Sequence, residues 1–360
     1  MLKRLYVHNY KCLVNFEINF DKDISLFLGA NGSGKSTVFE VLKKVIDLVL
    51  DEKKIVNVFK NSDKTRWLQR ESENLKFEMD IQIKGEVYKY ALTLDLGAYP
   101  NQDVKIVEET LYYKNQKLYD AAQEIGFDNG RSCIYRSGVA GDSEIIHKAR
   151  SFWGYLQTIF IVRINPYSMV SMIDKPSPNI KNDFSNFTDW FAHLNENYRK
   201  QLSILEKSLP TILPGFDYFR IEPVGRSKVL VVDFKNLSNE KEIISYDFDE
   251  LSEGQKVLIA LYTSIYCTPN NSIICIDEPE NFLALPEIQP WFDTLYDQCA
   301  ERNLQVLLIS HHPKIINLLA NDSGYWFSKE NNLTRIQKIN PENESGLSIA
   351  ELIERGWIYE

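Results

Sequence analysis

The stretch Gly29-Ala30-Asn31-Gly32-Ser33-Gly34-Lys35-Ser36 constrains the fold of this chain more than any other. It fits the pattern G-x-x-x-x-G-K-[ST], which has meaning only between a buried strand and a helix. Both flanks are present. Ile24 to Leu28 is a short apolar run that reads as a buried strand entering a turn. After Lys35, the residues Val38, Val41, Leu42, Val45, Ile46 and Val49 fall on one side of a helix. The glycines let the backbone curl until its N–H groups point inward at phosphate, and the helix N-terminus adds partial positive charge. A glycine-rich turn can be purely structural, but the full pattern with both flanks favours a phosphate loop. Gly29, Asn31, Gly32, Ser33, Gly34, Lys35, Ser36 and Thr37 are then the nucleotide-binding set. Lys35 is expected to reach the β- and γ-phosphates and Ser36 to hold Mg²⁺, with ATP as the nucleotide.

A second motif, Ile273-Ile274-Cys275-Ile276-Asp277-Glu278-Pro279, places two adjacent carboxylates at the end of a buried strand. The carboxyl ends of parallel strands are where α/β sheets bind ligands. Asp277 is expected to hold the Mg²⁺ shell and Glu278 to act as general base toward the attacking water. Such a pair alone is often a solvated loop; alongside a phosphate loop it gains a purpose.

The third motif, Leu251-Ser252-Glu253-Gly254-Gln255-Lys256, opens a helix with Ser252 as a good N-cap. It resembles the LSGGQ signature of ABC-type ATPases, with Glu253 where the commonest form has glycine. That resemblance implies that Ser252, Gly254 and Gln255 address the γ-phosphate held by a second copy. A fourth motif, Leu307-Leu308-Ile309-Ser310-His311-His312-Pro313, delivers a histidine after another buried strand. In ABC-type ATPases a histidine here contacts the γ-phosphate and the attacking water, which assigns that role to His311 and leaves His312 open. Asn281 to Pro286 occupies the place of the D-loop, without its usual Asp. Asn165, after the strand near Ile159 to Ile164, stands where the Q-loop glutamine is sought. Lys11 stands where related heads carry a basic residue, and a solvated lysine explains it equally well.

Alternation elsewhere supports strands. Val14, Phe16, Ile18 and Phe20 alternate with polar residues, as do Phe77 to Ile83 and Tyr88 to Leu94, and Val104 to Tyr113 forms a further run. Loops such as Gly97-Ala98-Tyr99-Pro100-Asn101 separate them, giving an inserted antiparallel sheet over 74–120. Residues 120–150 read as a polar surface excursion, Leu156 to Ile164 and Val229 to Phe234 as strands, and 185–209 as helical. The last third should hold a helix over 254–266, a strand over 272–276, a helix over 286–300, a strand over 304–309 and a small helix over 348–355 before Gly356-Trp357-Ile358-Tyr359. The fold expected is α/β: a P-loop NTPase head of the ABC type with an inserted antiparallel subdomain and a helical lobe. One domain over 1–360 would comprise a first lobe (1–165 and 267–340), a helical signature lobe (167–265) and a C-terminal tail (341–360).

The formal net charge is −9, so nucleic acid, if bound, needs a local basic patch. Five scattered cysteines with no CxxC pair suit a reducing cytosol and argue against a disulfide framework or zinc site. The opening MLKRLYVHNYK turns polar too quickly for a signal peptide, and no apolar run is long enough to span a bilayer, so a cytoplasmic location away from the membrane is expected.

Between phosphate loop and signature lie roughly 215 residues (36 to 252) with no heptad repeat. This gap is longer than that of transporter subunits and lacks the coiled coil of SMC-type proteins. The motifs over residues 1–45 and 250–320, including Asp-Glu-Pro-Glu-Asn and Ser-His-His-Pro, resemble RecF-like and OLD-like heads. They also resemble the stand-alone AAA-type ATPases of bacterial defence systems such as PARIS and abortive infection. Too few residues follow the last ATPase strand for the TOPRIM nuclease of OLD proteins. The resemblance therefore implies a slow ATPase that pairs with itself head to tail, or as a higher oligomer, and gates a separate nuclease or toxin. A RecF-like DNA clamp is the alternative, which keeps DNA open as a partner.

Overall fold

The structure is a computed structural model that describes residues 1–51, 53–68, 74–97, 104–121, 129–132, 134, 143–339 and 347–356. The chain divides into two compact units. One comprises 1–159, 271–273 and 316–360, and the other 160–270 and 274–315.

The first unit begins with β1 (Leu2–His8), β2 (Phe16–Asn19) and β3 (Ile24–Gly29), then α1 (Lys35–Leu50) and the short α2 (Ile55–Val58). Four strands follow, β4 (Leu75–Ile83), β5 (Glu86–Asp95), β6 (Lys105–Tyr113) and β7 (Gln116–Asp120), and then α3 (Ser143–Leu156). The strand order β2-β1-β4-β5-β6-β7 is antiparallel at every pairing. The expected inserted sheet therefore also recruits the two N-terminal strands. Alternation works as a signal here because one face is covered: Phe77, Met79 and Ile81 are fully buried, while Lys76 is exposed. Part of the cover comes from α3, whose Phe152 stacks on Tyr88 and Tyr90 of β5 at 6.0 and 5.7 Å. The expected excursion over 120–150 thus gives way to a helix from Ser143, and the strand expected from Leu156 begins only at Ile159. Residues 122–128, 133 and 135–142 of that excursion, the loop at 98–101 and Trp357 to Tyr359 lie outside the described residues.

The second unit contains β8 (Ile159–Val162), β9 (Met172–Ile173), α4 (Phe187–Asn197), α5 (Arg199–Ser208), β10 (Phe216–Val224), β11 (Ser227–Asn236) and β12 (Asn239–Asp247). Then come α6 (Glu253–Cys267), β13 (Ile273–Asp277), α7 (Leu285–Arg302) and β14 (Gln305–Ile309). The helical stretch expected at 185–209 is two helices that break at Tyr198. The lobe expected to be helical also holds an antiparallel sheet, β10-β11-β12, with β9 added to β11. Only its middle strand buries a continuous apolar run, Val229 to Val232. On β12 both Ile243 and Ile244 are substantially exposed, so no period marks it. Phe184, Phe187, Phe191 and Phe248 form an aromatic core in which the Phe187 and Phe248 rings lie 4.9 Å apart. β14, β13 and β8 lie side by side in that order, with β13 and β14 buried throughout.

The chain closes with α8 (Pro313–Ser323), β15 (Gly324–Glu330), β16 (Leu333–Lys338) and α9 (Ile349–Glu354). In the first unit β15 runs parallel to β3, and β16 folds back on β15 through Asn331-Asn332, both at positive φ as a tight hairpin turn requires.

Candidate nucleotide-binding site

In the first unit, β3 is buried on both faces and ends at Gly29, and α1 starts at Lys35. Gly29, Gly32 and Gly34 all have positive φ, at 135, 75 and 108°. Gly34 cannot be replaced without disruption, because a Cβ there would collide with the Thr334 hydroxyl of β16. That hydroxyl donates to the Ser33 carbonyl at 2.8 Å and so pins the loop. Gly34 is the N-cap of α1 and supplies no side-chain cap, so no side-chain oxygen competes for the first amides of a 16-residue helix. The Lys35 ammonium arches back over the loop, donating to the carbonyls of Gly29 at 2.6 Å and Ala30 at 3.1 Å. Asn31 and Ser36 are exposed and Thr37 half-buried beside Cys12, while the buried Ser33 hydroxyl has no hydrogen-bond partner among the described residues. Uncapped amides, a centred cation and an exposed Ser36 hydroxyl fit a triphosphate with its Mg²⁺. Lys11 is held by both carboxylate oxygens of Glu40, at 2.5 and 2.6 Å, which ties the Lys11 turn to α1.

In the second unit, β13 delivers Asp277 and Glu278. Asp277 is buried and Glu278 partly exposed at φ 53°, a left-handed turn that ends the strand. The Glu278 amide donates to the Ile309 carbonyl at 2.9 Å, so the two loops leave adjacent strands together. Glu278 Oε2 accepts from Asn281 Nδ2 at 3.0 Å and from Arg163 Nη2 at 3.4 Å. Arg163 Nε also stands 4.0 Å from Asp277 Oδ2. The cation facing both carboxylates is therefore two residues before Asn165, whose side chain instead accepts from the Tyr167 amide to start the 3-10 turn at Pro166–Ser168. Sequence reasoning passed over Arg163 because nothing along the chain links it to carboxylates more than a hundred positions away.

His311 follows β14 with its side chain exposed, whereas His312 is buried with neither ring nitrogen hydrogen-bonded among the described residues. Burial holds the His312 imidazole below the ordinary histidine pKa despite the nearby Glu280 carboxylate. Its place is in the core, and His311 is the exposed one of the two.

The signature helix α6 is built as its sequence suggests. Ser252 Oγ accepts from the Gln255 amide at 3.3 Å, and Gln255 Oε1 accepts from the Ser252 amide at 3.0 Å. This reciprocal capping box leaves Ser252 and Glu253 exposed at the helix start. A Cβ on Gly254 would sit 3.0 Å from the Phe282 carbonyl oxygen, so a glycine here lets the segment around Phe282 lie against α6. Among the described residues no cluster of three or more His, Cys, Asp or Glu could hold a metal by itself.

Residues 24–317 match the family model described as "AAA domain, putative AbiEii toxin, Type IV TA system". The chain belongs to this family. A stretch of 97 residues is 28% identical to the DNA double-strand break repair Rad50 ATPase of Methanocaldococcus jannaschii, covering 27% of this chain but only 9% of that protein. Among solved structures, the SMC head domain from Thermotoga maritima matches with a TM-score of 0.51 at 15% identity, over 94% of this chain and 99% of that one. An Smc head bound to the C-terminal winged-helix domain of ScpA matches at 0.54 and 13%, over 97% and 99%. The fold of this AAA domain is thus that of SMC heads. Among the described residues no helix is long and apolar enough to cross a membrane.

Proposed function

We propose that this chain binds and hydrolyses ATP, pairs with a second copy head to tail when ATP is bound, and through that change of state gates a separate nuclease or toxin in anti-phage defence. The observation that carries the ATPase is the phosphate loop, with Lys35 centred over it and uncapped helix amides behind it. The loop amides and Lys35 hold the phosphates, and Ser36 and Asp277 would hold Mg²⁺, whose presence would add Lewis-acid stabilisation of charge on the phosphates. Glu278 orients water and accepts its proton, and His311 donates toward the γ-phosphate. Ser252, Gly254 and Gln255 of one copy complete the site of the other, and closing that junction excludes water from the reaction.

The defence role is supported by the family, whose description names a toxin–antitoxin system. A second function is favoured by the Rad50 likeness and the SMC-head fold: an ATP-gated DNA clamp in repair. Affinity purification of the Glu278→Gln protein with ATP from its own host separates them. A co-purifying nuclease or toxin establishes the gating role, whereas DNA with repair factors and no effector establishes the clamp.

A further inference from the structure

Glu280 lies two positions after the proposed base, beyond the buried Pro279. Its Oε1 accepts two hydrogen bonds from the loop after β14: from the Ser310 hydroxyl at 3.0 Å and from the His311 backbone amide at 2.6 Å. Ser310 is fully buried, and its Oγ accepts from the His312 amide at 3.1 Å. Glu280 Oε2 is buried with no hydrogen-bond partner among the described residues. The grip on the loop therefore falls on one oxygen. Together with the bond from the Glu278 amide to the Ile309 carbonyl, this fastens the two loops on both sides of the residues that would act.

We infer that Glu280 is a positioning residue of the ATPase: its carboxylate fixes the backbone of His311, so that the loop carrying the base and the loop carrying the histidine move as one piece. The inference rests on the ATPase function proposed above. A carboxylate suits the task because it is purely an acceptor, and bonds from N–H and O–H donors to an ionised oxygen are about twice as strong as neutral ones. No proton need pass through Glu280. Its effect on the reaction runs through the position of the His311 ring, and displacement of a reacting group by about 1 Å can cost roughly a hundredfold in rate.

The test compares wild type, Glu280→Ala, Glu280→Gln, His311→Ala and Glu280→Ala/His311→Ala. Two readouts are taken: amide hydrogen exchange at His311 in the nucleotide-free protein, and steady-state ATP hydrolysis. Removing a hydrogen bond to a charged acceptor should speed His311 exchange in Glu280→Ala by about 10- to 100-fold. The kcat of this variant should fall by about 10- to 100-fold, with KM for ATP within about threefold of wild type. Glu280→Gln keeps a carbonyl acceptor at the Oε1 position but makes only neutral hydrogen bonds, so both readouts should fall between those of Glu280→Ala and wild type. Removal of Glu280 in the His311→Ala background should cost nothing further. Unchanged exchange and kcat in Glu280→Ala, a loss confined to KM, or full additivity with His311→Ala would each overturn the inference. If Glu280→Ala does not fold, Ser310→Ala removes one of the two donors and is judged by the same non-additivity. A folded wild type without any hydrolysis overturns the ATPase function itself, and this inference with it.

Discussion

Replacing Glu278 with glutamine tests the catalytic assignment with little disturbance to the fold. The two side chains are nearly isosteric, and the left-handed backbone at φ 53° is as strained in one as in the other. The 3.0 Å bond from Asn281 Nδ2 needs only an acceptor, which the glutamine carbonyl provides. Arg163 loses a charged partner 3.4 Å away, but its side chain is 64% exposed, and such a pair contributes at most about 1 kcal/mol. The melting temperature should therefore move by less than about 3 °C. ATP binding should persist, because the phosphate loop is untouched, and ATP at about 100 times Kd should still stabilise the fold by about 2.7 kcal/mol. Hydrolysis should behave differently. An amide cannot take the water's proton, and general-base catalysis is worth about 10²- to 10⁴-fold, or roughly 2.7–5.5 kcal/mol of barrier. Phosphate release under saturating ATP gives the rate, and a melt with and without ATP gives the binding. A variant that binds ATP and turns over at the wild-type rate would refute Glu278 as base. A variant that no longer binds ATP would place Glu278 in ground-state binding instead.

The other expectations concern each end of the site and the core of the second unit. Lys35→Ala removes the charged donor centred on the phosphate loop and should raise Kd for ATP by about 100-fold or more; calorimetric titration within threefold of wild type would remove Lys35 from phosphate binding. Ser252→Arg in the Glu278→Gln background should leave ATP affinity intact and abolish ATP-dependent association in sedimentation, while loss of the Ser252 cap costs about 1 kcal/mol of stability; unchanged association would refute the head-to-tail site. Arg220→Ala should destabilise by about 3 kcal/mol in denaturant titration, because it strands the buried Asp233 carboxylate that it grips through Nε at 2.5 Å and Nη2 at 3.0 Å. Burial pushes the Asp233 pKa up, but the hydrogen bonds, with Arg220 foremost, outweigh it and hold the carboxyl below its ordinary 3.8. The stability from this pair is thus complete above pH 3.8 and lost as pH falls through the lower folded value, and Arg220→Ala should flatten that acid dependence; a variant as acid-sensitive as wild type would refute the pairing.

What could be read from the sequence is what the chain encodes locally. The phosphate loop, the strand ending in Asp277 and the capped helix after Ser252 all reappear within a residue or two, because each rests on a short apolar run and a turn or cap beside it. The strands β4 to β6 were legible because one face is buried and the other wet. The same logic explains the losses. β10 and β12 flank a sheet with much of their apolar surface exposed, so no period of two appears. α3 does carry a buried stripe, Ala149, Phe152 and Leu156, but it starts inside a polar stretch that reads as loop.

Arg163 and Glu280 were invisible for a different reason. Arg163 belongs to no motif, and Glu280 lies inside Asp-Glu-Pro-Glu-Asn without a role that the motif reveals; each is defined by a partner on another strand: Asp277 and Glu278 for Arg163, Ser310 and His311 for Glu280. The motifs name the groups that would touch ATP, whereas these two residues set the electrostatics and position of those groups. That division has a physical basis. A group that meets phosphate must have a particular chemistry at a particular point on the chain, so it leaves a fixed spacing. A group that steadies a neighbour needs only a suitable charge within about 3 Å once the strands are assembled, and adjacent strands can supply it from many sequence positions. Motif matching therefore names the chemistry, while the bond from the His311 amide to Glu280 becomes visible only once the strands that carry the two loops are assembled.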